Sequence, residues 1–235
     1  MIVRAAVLAA LVLAGPAQGA CRLALTLGLD VSGSVDAAEY RQQLDGLADA
    51  LGRPAVREAL LAMPDAPVAL SVFEWSGPSV QRLLLDWRRL EGPQDIDATT
   101  GRLRAVGRRT APPETGLGAA MAHGAALLAR GPACWRRVLD LSGDGMANAG
   151  PRPEEVRDGA ALSDVTVNVL VVGRRRAGRA GGAPDLDALE AYFRARVIRG
   201  PRAFVEPAEG YDGYADAMAR KLLREIEVVA VGAAQ

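Results

Sequence analysis

The chain holds one histidine and two cysteines in 235 residues, and its basic and acidic residues balance at 28 each. Lys221 is the only lysine. Each scarcity closes off a class of function. Balanced charge gives no general attraction to nucleic acid or to an anionic membrane. A single histidine, His123, leaves a Ser-His-Asp triad one candidate base. No Gly-x-Ser-x-Gly elbow is present either: Asp140-Leu141-Ser142-Gly143-Asp144-Gly145 lacks the required first glycine. Beyond residue 20 no segment is long enough to cross a membrane, and Val228–Val231 is only a short apolar patch near the end of a helix. The near-exclusive use of arginine, alongside abundant Ala, Gly and Leu, reads as a compositional bias of the source rather than a binding adaptation.

What is present begins with residues 1–20, which have the layout of an export signal. Arg4 gives a positive start, Ala5–Ala14 forms an apolar core too short to span a bilayer, Gly15-Pro16 breaks it, and Ala17-Gln18-Gly19 offers small residues at the cleavage spacing. The alternatives are a retained N-terminal anchor and a lipid on Cys21, for which Gln18 is a poor fit. The expectation is an exported protein, periplasmic or secreted, with residues 21–235 as a single domain and no membrane span once the signal is removed.

The mature part alternates strands with helices. Leu23, Leu25, Leu27 and Leu29 interleave with Ala24, Thr26 and Gly28, a pattern with little polarity on either face. That predicts a central strand covered on both sides. Further strands are expected over 68–73, 80–87, 138–141, 165–172 and 203–206. Helices are expected over 35–51, 55–62, 93–106, 115–130, 153–162, 186–196 and 211–229. Only the short turn at 74–78 separates the second and third strands, so this pair should be an antiparallel hairpin with the third strand at the sheet edge. The helix over 115–130 is built of small residues and can lie close against the sheet. The whole predicts a doubly wound α/β fold, a mostly parallel sheet with one antiparallel edge strand and helices on both faces.

The first strand changes character at its end. Asp30, Ser32 and Ser34 stand at alternate positions, Gly33 permits a tight turn, and Asp36 with Glu39 forms a capping box for the next helix. Three oxygen-bearing side chains at a strand tip suit a hard divalent cation. In a doubly wound sheet, ligands gather at the C-terminal ends of strands. Thr115, where a loop enters a helix, and Asp144, in a Gly-flanked loop after the fourth strand, are the other oxygen donors in such places. Taken singly they suit a helix cap and a turn aspartate.

Together, the Asp-x-Ser-x-Ser stretch, Thr115 and Asp144 resemble the von Willebrand factor type A family over essentially residues 22–227. The resemblance implies a metal-ion-dependent adhesion site in which Ser32, Ser34 and Thr115 supply hydroxyls and Asp30 and Asp144 hold the shell through waters and hydrogen bonds. It implies a divalent cation, magnesium first, with manganese or calcium as alternatives, and a protein partner offering a Glu or Asp carboxylate. The second loop departs from the family's Thr-Asp-Gly: here it reads Ser-Gly-Asp-Gly, which leaves the role of Ser142 open.

Cys21 lies nine residues before Asp30 and Cys134 ten before Asp144. If both aspartates approach one ion on adjacent parallel strands, the two descents are nearly equal and the cysteines meet at the far end, so a Cys21–Cys134 bridge is expected. The predicted function is binding rather than turnover. Two alternatives stand beside it, a metal-dependent hydrolase using the same cluster and a purely structural exported domain. A phosphoaspartyl hydrolase is disfavoured because Ser32 stands where a second carboxylate belongs. His123 reads as a helix-face residue. Glu74 and Trp75 after the second strand are candidate rim residues. So are Arg174, Arg175 and Arg176 after the fifth, in a loop that also carries Arg179, although a solvated mobile loop is the simpler reading of those arginines.

Overall fold

The structure is a computed structural model, and it describes residues 20–175 and 185–227. The expected signal over residues 1–20 lies, except for Ala20, outside the described residues, as do Arg176, Arg179 and Val228–Val231. Six strands form one sheet in the order β3-β2-β1-β4-β5-β6. They are β1 (Leu23–Asp30), β2 (Val68–Trp75), β3 (Gln81–Leu90), β4 (Arg136–Gly143), β5 (Thr166–Gly173) and β6 (Val205–Glu209). All neighbours run parallel except β2 and β3, which are antiparallel. β1 is therefore flanked by β2 and β4, and every one of its eight residues is buried.

Helices cover both faces. On one lie α1 (Ala37–Gly52), α2 (Pro54–Leu61), α3 (Pro93–Ala105) and α7 (Tyr214–Ile226), packed on the odd-numbered leucines of β1. On the other lie α4 (Leu117–Ala129), the short α5 (Pro153–Arg157) and α6 (Leu186–Arg196), packed on Phe73, Trp75, Leu139 and Leu141. The capping box at α1 is formed: Ala38 N and Glu39 N donate to Asp36 Oδ1 at 2.7 and 2.9 Å, and Asp36 N donates to Glu39 Oε2 at 2.8 Å. The small residues of α4 do bring it against the sheet. A methyl group at Gly124 would collide with the Leu139 side chain of β4.

Most element ends shift by a few residues from the sequence reading, and three of the shifts matter most. The helix expected over 153–162 ends at Arg157, and Gly159 separates it from a short 3-10 turn over Ala160–Leu162. α4 begins at Leu117 rather than Thr115, with Gly116 at its cap. β2 continues through Glu74 and Trp75, which had been assigned to a turn. The sheet edges are β3, which carries Arg82, Asp86, Arg88 and Arg89, and β6, five residues long with Pro207 at its centre.

The end of the sheet where the strands begin is fastened twice. Cys21 and Cys134 form a disulfide across the starts of β1 and β4, with Cα atoms 4.4 Å apart. Farther along the strands, α7 delivers the sole lysine to the interior. Lys221 is fully buried, with Nζ 2.7 Å from Asp140 Oδ2 and 2.6 Å from Glu225 Oε1. Asn168 Nδ2 donates to the same Glu225 oxygen at 2.8 Å. Burial, reinforced by Glu225, raises the Asp140 carboxyl to about 8.

Two predictions follow from these fastenings. Replacing Lys221 by Met leaves two buried carboxylates without their cation and should cost about 3–5 kcal/mol in denaturant unfolding. The disulfide closes a sequence separation of 113 residues. Its removal in a Cys21→Ala, Cys134→Ala variant should cost roughly 2–4 kcal/mol in the same measurement.

Candidate metal centre

The tips of β1 and β4 and the loop leading into α4 meet at the C-terminal end of the sheet. Asp30 closes β1 and is wholly buried; its Oδ1 accepts a hydrogen bond from Ser32 N at 2.8 Å. Ser32 Oγ lies 3.4 Å from Ser34 Oγ and receives the Thr115 hydroxyl at 3.4 Å. Ser34 Oγ donates to Asp144 Oδ1 at 2.5 Å. The structure thus links Ser32, Ser34, Thr115 and Asp144, separated by up to 112 positions, in one chain of oxygen contacts, with Asp30 tied in through the backbone of Ser32. Of the five, only Ser34 is exposed. The cluster therefore opens to solvent along the turn at Gly33-Ser34.

Main-chain contacts lock the three loops together. Val31 N donates to Trp75 O at 2.8 Å, Gly33 N to Pro113 O at 3.1 Å, and Gly116 N to Ser76 O at 2.7 Å. The last contact needs glycine, because a methyl at position 116 would lie 2.8 Å from Ser76 O. Thr115 exchanges two bonds with the Asp144 loop: its N–H donates to Asn148 Oδ1 at 2.8 Å, and its carbonyl accepts from Asn148 N at 3.1 Å.

Beneath the cluster, Gln43 of α1 donates to Asp30 O at 2.8 Å and accepts the Ser142 hydroxyl at 2.6 Å. This gives Ser142 a place under the site, tying β4 to α1. From the 3-10 turn over Tyr211–Gly213, just ahead of α7, Tyr211 donates its hydroxyl to Asp144 Oδ2 at 3.3 Å. Gln43, Asn148 and Tyr211 carry no sequence signal of their own. Gln43 is the one glutamine inside the apolar stripe of α1, and that anomaly is the only available hint.

The electrostatics show two carboxyls brought together in a dry place. Burial first, and then the nearby Asp144, push the Asp30 carboxyl up to about 7. Burial also raises Asp144, against the opposing bonds from Ser34 and Tyr211. Asp30 Oδ2 is buried with no hydrogen-bond partner, and a methyl on Gly143 would stand only 3.4 Å from it. A buried, unpartnered carboxylate oxygen beside a second carboxylate and three hydroxyls fits a hard divalent cation. Among the described residues, no group of three or more His, Cys, Asp or Glu is placed to hold a metal. Any cation here would meet just two carboxylates.

The expected rim residues fare differently. Glu74 and Trp75 do not border an open rim. Because β2 runs through them, their side chains fall into the two covered faces, 4% and 0% exposed. Glu74 is held by Arg82 Nε at 2.6 Å and by the Tyr40 hydroxyl at 2.9 Å. Arg174 and Arg175 do emerge at the C-terminal end of β5, the same end as Asp30. The Arg175 guanidinium is already engaged, 3.1 Å from both Asp187 and Glu190 and 3.7 Å from Glu209. His123 packs its ring on Phe73 at 5.0 Å, and no hydrogen bond joins it to the cluster.

A raised folded-state pKa means that the metal-free protein holds its Asp30 proton more tightly than the unfolded chain does. The associated stability is complete below about pH 4 and is lost as pH rises through about 7. Thermal melting in chelator should therefore fall between pH 5 and pH 8, and Asp30→Asn should make that fall shallower. Some slope should remain, because Asp140 is shifted in the same direction.

Comparison with known proteins places this geometry. A search of curated sequences finds no match. Among solved structures, proximal thread matrix protein 1 from the mussel byssus is 12% identical at a TM-score of 0.64, covering 88% of this chain and 49% of that one. Another structure of that mussel protein has a zinc-occupied MIDAS motif. The pilus adhesin SpaC from Lactobacillus rhamnosus GG is 13% identical with a TM-score of 0.61, over 89% of this chain and 31% of the adhesin. A von Willebrand factor type A protein from Catenulispora acidiphila is 14% identical with a TM-score of 0.59, over 88% and 43% respectively. The chain thus spans half or less of each of these proteins. At such identities the likeness establishes the fold, which is that of the von Willebrand factor type A domain. By its sequence, matched over residues 20–230, the chain belongs to the family described as Protein of unknown function (DUF1194).

Proposed function

We propose that this chain is an exported binding module, periplasmic or secreted, that recognises an acidic group on a protein partner through a divalent cation. Asp30, Ser32, Ser34, Thr115 and Asp144 would hold that cation, the three hydroxyls directly and the two carboxylates balancing its charge. The observation that carries the reading is the buried, unpartnered Asp30 Oδ2 within a cluster that opens to solvent at Ser34. Two carboxylates at most neutralise a divalent ion, so no surplus negative charge repels an incoming Glu or Asp carboxylate that completes the shell. Magnesium is the first candidate because all five donors are hard oxygens; manganese and calcium share that preference. The zinc in the mussel protein's motif supports divalent-cation use by this fold. The bound ion would supply Lewis acidity, and Gln43, Asn148 and Tyr211 would keep the protein's own oxygens in position beneath it.

Binding is favoured over hydrolysis because no histidine serves the cluster: His123 is packed on Phe73, and no hydrogen bond joins it to the five oxygen donors.

Calorimetric titration of the metal-free protein with manganese or magnesium tests the site. Wild type should bind one ion, and Ser34→Ala should bind at least about tenfold more weakly without loss of melting temperature. The absence of heat or thermal shift in wild type would overturn the reading. Partner recognition is tested by magnesium-dependent capture from an exported fraction, which Ser32→Ala should abolish. Metal-dependent turnover of esters or phosphate esters, lost in Ser34→Ala, would replace binding by hydrolysis.

A further inference from the structure

One group of buried side chains holds reactive partners that the metal centre does not use. Asp140 of β4 and Asn168 of β5 are register partners on neighbouring strands, and α7 lays Lys221 and Glu225 over them. Lys221, Glu225 and Asp140 are 0%, 1% and 2% exposed. Lys221 Nζ lies 2.7 Å from Asp140 Oδ2 and 2.6 Å from Glu225 Oε1, so the two carboxyl groups face each other across one nitrogen. Phe204 adds an apolar wall, its ring centroid 5.1 Å from Nζ.

Ion pairing explains only part of this arrangement. Two acids share one ammonium group away from water, which leaves one acid to be neutralised some other way. A proton does so: burial, reinforced by the Glu225 charge, keeps Asp140 protonated at neutral pH. Two oxygens still have no hydrogen bond, Asp140 Oδ1 and Glu225 Oε2. An un-ionised carboxylic acid, an amine touching it, and a carboxylate that can take the amine's proton are the three parts of an amide condensation. The contact also brings Nζ near the separation of about 3–3.5 Å from the carboxyl carbon at which bond formation begins. Solvent is excluded, so water is not at hand to reverse the step.

We propose that Lys221 and Asp140 condense into an intramolecular amide that ties α7 covalently to β4, with Glu225 as the proton carrier. The Nζ–Cγ bond forms, and one Asp140 C–O bond breaks to release water; no electrons are exchanged. Of the three protons on the Lys221 ammonium, one stays on the amide nitrogen and one stays on Glu225. The third is carried by Glu225 into the departing water, which also takes the Asp140 acid proton. The product leaves these three residues uncharged and pairs both orphaned oxygens. The remaining Asp140 oxygen becomes the amide carbonyl and accepts from the newly protonated Glu225 Oε2, while Glu225 Oε1 keeps the amide N–H and Asn168 Nδ2. The ionic cluster is the state before linkage, and its stability and titration belong to the unlinked chain. The link does not rest on the metal reading.

Because Lys221 is the only lysine, a lysine-specific protease reads the link directly. The full chain is purified folded, then unfolded in denaturant with a reductant and digested. A free Lys221 yields two fragments, whereas a linked one leaves the chain uncut. Trypsin should then release one branched peptide that carries Asp140 and Lys221 and is lighter by one water than its two parts. Wild type should resist the lysine-specific cut almost completely. Asp140→Ala should be cut to completion, and Glu225→Gln, verified as folded by circular dichroism, should be linked at least about tenfold less. Complete cutting of wild type would overturn the proposal whether or not the variants fold. So would a branched peptide lighter by ammonia, which would join Lys221 to Asn168 instead. Undiminished linkage in Glu225→Gln would overturn the role given to Glu225.

Discussion

Two carboxyl groups held out of water at the ends of adjacent parallel strands set the terms for the rest of this molecule. Asp30 is carried there by β1, a strand buried along its full length, and Asp144 by the loop that follows β4. In the metal-free protein their proximity is unfavourable, and the structure sustains it with fixed dipoles. Ser32 N, Ser34 and Tyr211 all donate to these oxygens. The same arrangement would favour a bound cation, from which each acid would gain charge compensation that the protein withholds. The site and its cost to stability are therefore one feature seen from two sides.

That cost is offset at the other end of the same strands. The disulfide fixes the starts of β1 and β4, the two strands whose tips bring the carboxyls together. Asp140 lies only four residues before Asp144 and is compensated by a buried lysine instead of an ion. β4 thus carries two buried acids on one short segment, one neutralised from within by α7 and the other facing the open cluster. Tyr211 precedes α7 by three residues and Lys221 lies in its middle, so one stretch of chain reaches both acids.

Much of the fold was legible because its signals are local. The alternating leucines of β1, the antiparallel pairing of β2 with β3 and the Asp36–Glu39 box each act within a few residues, and each is found as read. The disulfide was legible for a different reason: equal descent along parallel strands is arithmetic once the two aspartates are paired. The misreadings share a cause. Glu74 and Trp75 carry polar and aromatic groups that suit a turn, yet Glu74 is neutralised by Arg82 on the neighbouring strand, so β2 continues through them. Nothing local marks Lys221 for burial, which Glu225 one turn on and the distant Asp140 together make tolerable. Gln43, Asn148 and Tyr211 act through contacts 13 to 99 positions away, which no spacing rule encodes. The five oxygen-bearing residues were found because a strand-tip motif announces one of their three segments, and the sheet topology then restricts where the others can lie.

The two margins of the sheet have a consequence for assembly. β3 carries Asp86, Arg88 and Arg89, and β6 is short and interrupted by Pro207. Charge on β3 and the proline in β6 both discourage pairing with a strand from another molecule. Many copies crowded together, as on a cell surface or in a confined compartment, would resist fusing their sheets into a fibre. Any array they build must instead be joined through loops or helices, leaving the strand tips that carry the proposed site free to point outward.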